Sequence, residues 1–72
     1  MEVKIGIQSI PRELVVETPS SPDEVERALI AATKDGGMFT LRDDKGGRVL
    51  VPVEKIGYVE LSGAENRRIG FG

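Results

Sequence analysis

Hydrophobic and polar residues alternate at the start of the chain. Within residues 1–8 the apolar positions of this alternation are Val3, Ile5 and Ile7, and a period of two is typical of a strand with one buried face. Pro11 interrupts the pattern, because proline has no amide hydrogen to donate. Residues 12–17 then alternate again, so the short connection predicts an antiparallel hairpin of two strands.

A well-marked helix start follows the hairpin. Ser21, Pro22 and Glu24 have the spacing of a capping box with proline at the first helical position. Apolar residues then recur on one helical face, at Val25, Ala28, Leu29 and Ala32. Glycine tolerates the left-handed conformation that ends a helix. We therefore predict a helix that begins at Pro22 and ends at the sequence Asp35-Gly36-Gly37.

Further alternating runs follow the helix. They are residues 38–42, 48–53, 57–62 and 67–71. The first two runs are joined by residues 43–47, a turn rich in aspartate and glycine. A short bend at residues 53–56 precedes the third run, and Ile69 and Phe71 share one face of the last. The sequence thus predicts three or four strands after the helix.

These elements together predict one α+β domain over residues 1–72. Its two layers are a single helix and a mainly antiparallel sheet of five to six strands, in the order β-β-α-β-β-β(-β). The apolar stripe of the helix and the inward strand residues form one core. The opposite face of the sheet is left to solvent or to a partner.

The composition excludes several kinds of chemistry. Among the 72 residues there is no cysteine and no histidine, so disulfides, thiolate nucleophiles and the commonest acid/base and metal ligand are absent. We therefore expect no enzyme, no metal site and no cofactor. The lack of cysteine, of a membrane-spanning run and of a leader-like start favours the cytoplasm. A net charge of −2 provides no overall field to attract nucleic acid.

The glycine-rich turn is the first candidate site. Consecutive glycine amides beside basic side chains are able to bind an anion, and the last run opens with two arginines. If that run lies near the turn, a candidate anion-binding patch contains Arg42, Lys45, Gly46, Gly47, Arg48, Arg67 and Arg68. This patch supports the alternative function of a small nucleotide- or nucleic-acid-binding protein. The structural alternative is a plain hairpin turn, since Asp43 and Asp44 repel phosphate.

An exposed apolar strip is the second candidate. Tyr58 alternates with Val59 and Leu61, so it is predicted on the outer sheet face with Val15 and Leu50. Such a strip would suit a protein partner, whereas a register slip of one residue would bury Tyr58. The sheet face and its edge strands favour a non-enzymatic interaction or regulatory module that binds another protein. Pairing of two copies through an edge strand is a further option.

The first half of the chain resembles the β-grasp, the fold of ubiquitin and of the small sulfur carriers. The resemblance is in the order of an opening hairpin and a capped helix. It implies a conjugating C-terminal tail as a remote alternative function. The closing sequence Gly70-Phe71-Gly72 departs from the Gly-Gly ending of those proteins.

Several segments spread along the chain have a recognisable sequence: residues 2–7, 48–52, 55–56, 58–60 and 68–72. Through them nearly the whole chain resembles a family of short actinobacterial proteins of unknown function. Some members of that family carry an ATP-binding label, so the resemblance implies a nucleotide as the alternative ligand. It implies no particular mechanism.

Overall fold

The fold is that of a computed structural model, which describes residues 1–62 and 67–70. Within them the chain forms one α-helix, one short 3-10 helix and six strands. In chain order these are β1 (Glu2–Ile7), β2 (Glu13–Glu17), α1 (Pro22–Asp35), β3 (Met38–Arg42), β4 (Arg48–Pro52), the 3-10 helix (Val53–Lys55), β5 (Ile56–Leu61) and β6 (Arg67–Gly70). The predicted α+β class and element order are confirmed.

The six described strands are divided between two sheets, which corrects the single sheet of five to six strands. One sheet has the order β2-β1-β5-β6, and β3 and β4 form the other. The pairings are antiparallel. The 3-10 helix separates β4 from β5, and β5 pairs with β1 instead of with β4. Alternation identifies a strand but not its neighbour, and for this reason the sequence did not reveal the division.

The core lies where α1 and the β3–β4 hairpin cover the inner face of the four-stranded sheet. Its buried apolar residues are Val3, Ile5, Val16, Val25, Leu29, Ala32, Phe39, Leu41, Val51, Ile56, Val59 and Leu61. Leu14 was expected to face inwards with Val16 and remains 37% exposed. It belongs to β2, an edge strand of the sheet, so one side of its side chain has no neighbouring strand.

The helix is capped as its sequence predicts. The Glu24 amide donates to the Ser21 hydroxyl over 3.2 Å, and the Ser21 amide donates to the Glu24 carboxylate over 2.9 Å. The bond from the Ser21 amide is the main cause that lowers the pKa of Glu24 below its ordinary value. Gly36 takes the left-handed conformation, with φ 64°, at the C-cap. Both predicted helix ends are confirmed.

The last strand lies at the edge of the four-stranded sheet, next to β5. Ile69 pairs with Val59 and packs against the core. Three predictions fall outside the described residues: the turn at residues 63–66, the position of Phe71 beside Ile69, and the tail on which the sulfur-carrier alternative depends.

Candidate functional site

The outer face of the four-stranded sheet carries an interacting group of three side chains. Tyr58 and Val59 are consecutive residues of β5, so their side chains point to opposite faces of the sheet. The Tyr58 hydroxyl donates a hydrogen bond to the Glu13 carboxylate. The Arg68 guanidinium carbon lies 4.2 Å from the centre of the Tyr58 ring, which is within the range of a cation–π contact. The bond to Glu13 is the main cause that raises the pKa of Tyr58 above its ordinary value. Tyr58 is therefore a neutral hydrogen-bond donor near pH 7.

Gly6 provides the space for this group. It pairs with Glu13 on β2 and with Tyr58 on β5, so the phenol crosses β1 above Gly6 to reach Glu13. A Cβ atom at position 6 would overlap the Tyr58 ring. The Tyr58 ring thus lies over Gly6 and its hydroxyl bonds to Glu13, so both contact neighbouring residues of the sheet.

The predicted strip of Val15, Leu50 and Tyr58 does not form on one sheet face. Val15 and Tyr58 lie on the outer face of the four-stranded sheet, whereas Leu50 belongs to the separate β3–β4 sheet. Leu50 is 55% exposed and alternates with the buried Val51, so it faces away from the core. The division into two sheets therefore separates the third residue from the other two.

The glycine-rich turn already holds an anion of its own. The Asp43 carboxylate accepts hydrogen bonds from the amides of Lys45 and Gly47, each over 2.9 Å. The Gly46 amide donates to the Asp43 carbonyl over 3.2 Å, and Gly46 has a φ of 92°. Because these amides bind Asp43, an external phosphate would have to displace the aspartate. The arrangement is that of a plain hairpin turn.

The two arginines of the last strand face opposite sides of the sheet. Arg67 lies on the helix side, where its guanidinium is 3.1 Å from the Asp23 carboxylate and 3.5 Å from that of Glu26. Arg68 lies on the outer face over Tyr58. Since β6 and β2 are opposite edges of the sheet and the hairpin turn contacts β2, the condition for one shared basic patch is not met.

The remaining members of the predicted anion patch stay together in the β3–β4 hairpin. Arg42 and Arg48 pair directly across the two strands, and Lys45, Gly46 and Gly47 lie in the turn between them. Both arginines are exposed. Asp43 and Asp44 share this end of the hairpin, so positive and negative side chains are mixed there.

The hydrogen-bonding direction of β2 can be read from its end. The Thr18 amide donates to the Met1 carbonyl over 2.9 Å, and the Met1 ammonium donates to the Thr18 carbonyl over 2.9 Å. In an antiparallel pair such bonded positions alternate with unbonded ones. With the register of β1 and β2, the backbone groups of Val16 and Leu14 also point towards β1.

The intervening residues Glu13, Val15 and Glu17 therefore direct their N–H and C=O groups away from β1, along the free edge of the sheet. The Glu17 carbonyl confirms this direction, because it accepts a hydrogen bond from the Asp44 amide over 2.9 Å. On this side the N–H and C=O of Val15 and Glu13 have no partner among the described residues. The open β2 edge, defined here by Glu13, Val15 and Glu17, thus offers paired backbone donors and acceptors.

A groove of about 330 Å³ runs beside the open β2 edge. One wall is β2, with Leu14 37% and Val15 52% exposed. The other wall comes from the β3–β4 hairpin, through residues 43–45 and Val49. Backbone hydrogen-bonding groups and exposed apolar side chains therefore occur together at this edge.

A family model covers the whole chain. Residues 1–72 match the family described as a protein of unknown function, DUF3107. The chain belongs to this family. The resemblance to a family of unknown function is thereby confirmed, and no curated protein matches the chain.

The described residues contain no cluster of three or more histidine, cysteine, aspartate or glutamate side chains that could hold a metal ion. Nor does any helix among them have the length and hydrophobicity to cross a membrane.

The sequence pattern singled out the Val15 side chain and did not reveal the outward direction of its backbone N–H and C=O. The alternating run at residues 12–17 follows a proline and precedes a Pro-Ser-rich loop, a pattern that indicates a short strand but not its place in the sheet. The pairing partner of each strand is needed before the open side can be assigned.

Proposed function

We propose that this chain is a non-enzymatic protein-interaction module that binds an extended segment of another protein along the open β2 edge. The observation that carries the proposal is the outward direction of the Val15 backbone, whose N–H and C=O have no partner among the described residues. A segment that adds to this edge as a new strand would satisfy both groups. The absence of cysteine suits a reducing compartment, so we place this function in the cytoplasm.

The surroundings of Val15 support strand addition. The groove beside it has room for the side chains of an added strand, and Leu14 and Val49 give it an apolar lining. Main-chain hydrogen bonds supply affinity in this mode of recognition, and side-chain pockets supply specificity. The Glu17 carbonyl already accepts a hydrogen bond from the Asp44 amide, so an added strand would end near this position.

Tyr58 has a supporting role next to the open β2 edge, because its side chain already contacts other residues of the protein. Its ring and hydroxyl hold Glu13 and Arg68, so it organises the outer face next to β2 instead of offering a free aromatic contact. We therefore assign partner contact to Val15 and the neighbouring backbone, and a supporting role to Tyr58.

A matched pair of substitutions at position 15 tests the proposal. Val15→Pro removes the outward amide while leaving the bonds between β1 and β2 in place, since those use Leu14 and Val16. Val15→Thr keeps the amide and the branched shape. We expect a partner to bind the wild type and Val15→Thr with similar affinity and Val15→Pro at least about tenfold more weakly, given the loss of one buried hydrogen bond.

Amide hydrogen exchange on the reconstituted complex locates the contact. Exchange at Glu13 and Val15 is expected to be fast in the free protein and slowed in the complex. Equal binding by Val15→Pro, or protection confined to another surface, would show that the β2 edge is not the binding site. The fold of each variant is checked by its ¹⁵N-HSQC spectrum.

A further inference from the structure

We infer that the open β2 edge selects a strand with basic residues two positions before and after a central apolar residue, and that it disfavours pairing with a second copy of itself. This inference rests on the proposed function, because it specifies the partner of the same edge. It is carried by the side chains of the edge, whereas the proposed function is carried by its backbone.

The side chains of the edge form a symmetric charge pattern. Glu13, Val15 and Glu17 share the outer face, since they alternate with the inward-facing Leu14 and Val16. In an added antiparallel strand, the residue opposite each of them has its Cβ about 5 Å away. A partner would therefore place an apolar residue opposite Val15 and a positively charged residue opposite each glutamate. Because the pattern reads acidic, apolar, acidic, the complementary order is basic, apolar, basic.

Both glutamates retain capacity for a further cation. Glu17 lies 3.9 Å from the Met1 ammonium, yet its side chain is 55% exposed. Glu13 accepts the Tyr58 hydroxyl through one oxygen, and a carboxylate has about four acceptor positions. Lys4 lies on the same face, opposite Val15, and its ammonium is 4.0 Å from the Glu2 carboxylate.

The groove has the same sign of charge as the edge. Its charged lining consists of Glu17, Asp43, Asp44 and Lys45, which gives three carboxylates and one ammonium. The Asp43 carboxylate binds the turn amides and the Asp44 side chain is exposed. A basic segment entering between β2 and the hairpin thus meets a net negative wall.

The same pattern opposes self-pairing. When the five residues of β2 pair antiparallel with those of a second copy, Val15 faces Val15 and Glu13 faces Glu17 of the other copy. Two pairs of carboxylates then lie directly opposite each other, which is destabilising. Any shift of register shortens the paired segment. Charged residues on an edge strand are a known device against such pairing.

Three short peptides that differ only in charge test the inference. Each has a central valine in a threonine background, with lysine, serine or glutamate two positions to either side. We expect every peptide that binds to shift the resonance of the Val15 amide in ¹⁵N-HSQC titrations. The lysine peptide is expected to bind about fivefold more tightly than the serine peptide, since each cross-strand ion pair contributes modestly, and the glutamate peptide more weakly than either.

A charge reversal on the protein provides the control. Glu17→Lys is expected to reduce the preference for the lysine peptide, whereas Glu54→Lys, in the 3-10 helix, changes the net charge equally and leaves the preference as it is. Binding of all three peptides with equal affinity at low salt would overturn this inference and leave the proposed function standing. If none of the peptides shifts Val15, strand addition at this edge is itself contradicted. A preference for the glutamate peptide would also overturn the inference.

Discussion

The glycine-rich turn and the open β2 edge lie side by side, and they differ in what their backbone amides do. In the turn, the amides of Lys45 and Gly47 donate to Asp43. On the edge, the amide and carbonyl of Val15 have no partner among the described residues. The turn has the more suggestive sequence, but its binding capacity is used internally. A site depends on which polar groups remain unpaired after folding, more than on which residue types are present.

Proline at two adjacent positions of β2 gives the largest expected contrast. Val16→Pro removes an amide that bonds to β1 and disturbs a side chain that is only 4% exposed, so the free energy of unfolding should fall by about 3 kcal/mol or more. Val15→Pro should cost about 1 kcal/mol or less, because its amide faces outwards. Urea unfolding of the two variants measures both values. Equal losses would mean that the assigned hydrogen-bonding directions of β2 are wrong.

Asp43→Ala tests whether the turn is satisfied by its own carboxylate. The variant leaves the amides of Lys45 and Gly47 without their acceptor, and we expect it to lower the free energy of unfolding by about 2 kcal/mol. Removing the internal anion should also make the turn receptive to an external one. Inorganic phosphate is expected to shift these amides in the ¹⁵N-HSQC spectrum of the variant and to leave the wild type unaffected. Saturable shifts in the wild type would instead support the alternative function of nucleotide binding.

Charge reversal at Glu17 sharpens the account of the edge. In the symmetric pairing of two copies, position 17 faces Glu13, so Glu17→Lys converts two repulsive pairs into attractive ones. Sedimentation equilibrium at low salt should show self-association at least about tenfold stronger than that of the wild type. The double variant Glu13→Lys with Glu17→Lys restores repulsion and should return to the wild-type behaviour. Stronger association of the wild type than of Glu17→Lys would contradict the proposed register.

The smallest expected effect is at Tyr58, next to the edge. Its pKa is raised mainly by the bond to Glu13, so Glu13→Gln should move the titration midpoint back towards the ordinary value. Because the folded-state pKa lies above the unfolded one, the stability from this bond is present below the unfolded pKa and is lost as pH rises through the folded pKa. The chain has one tyrosine and no tryptophan, so ultraviolet absorbance follows this group alone.

Glu60→Gln is the matched control for that titration. Glu60 is the last of the causes that act on Tyr58, and its removal should shift the midpoint less than Glu13→Gln does. A larger shift for Glu60→Gln would mean that the hydrogen bond to Glu13 is not the main cause.

The helix shows how much local sequence can specify. Its start at Pro22 and its end at Asp35 follow from groups close to each end, namely the Ser21–Glu24 capping box and the C-cap Gly36, which accepts a positive φ. The strand positions and the face of Tyr58 were likewise readable from alternation. These features depend on neighbours in the chain.

The site was less predictable because it depends on neighbours in space. The sequence did not reveal that Leu50 belongs to another sheet or that Arg67 and Arg68 lie on opposite faces of the last strand. Nor did it reveal that the glycine amides were already bonded to Asp43. Each of these outcomes follows from a pairing between distant segments, which a pattern of period two does not encode.

By itself the sequence determined the α+β class and the order of elements. It also excluded disulfides, thiolate nucleophiles and histidine chemistry, because the chain has no cysteine and no histidine. Only the tertiary structure decided that β2 is an edge strand of the sheet. Backbone hydrogen bonds are saturated by whichever strand lies alongside, so the same Glu13–Glu17 run would be buried as a central strand or available as an edge strand. With β1 on one side of it and the β3–β4 hairpin across the groove on the other, the N–H and C=O of Val15 have no partner among the described residues.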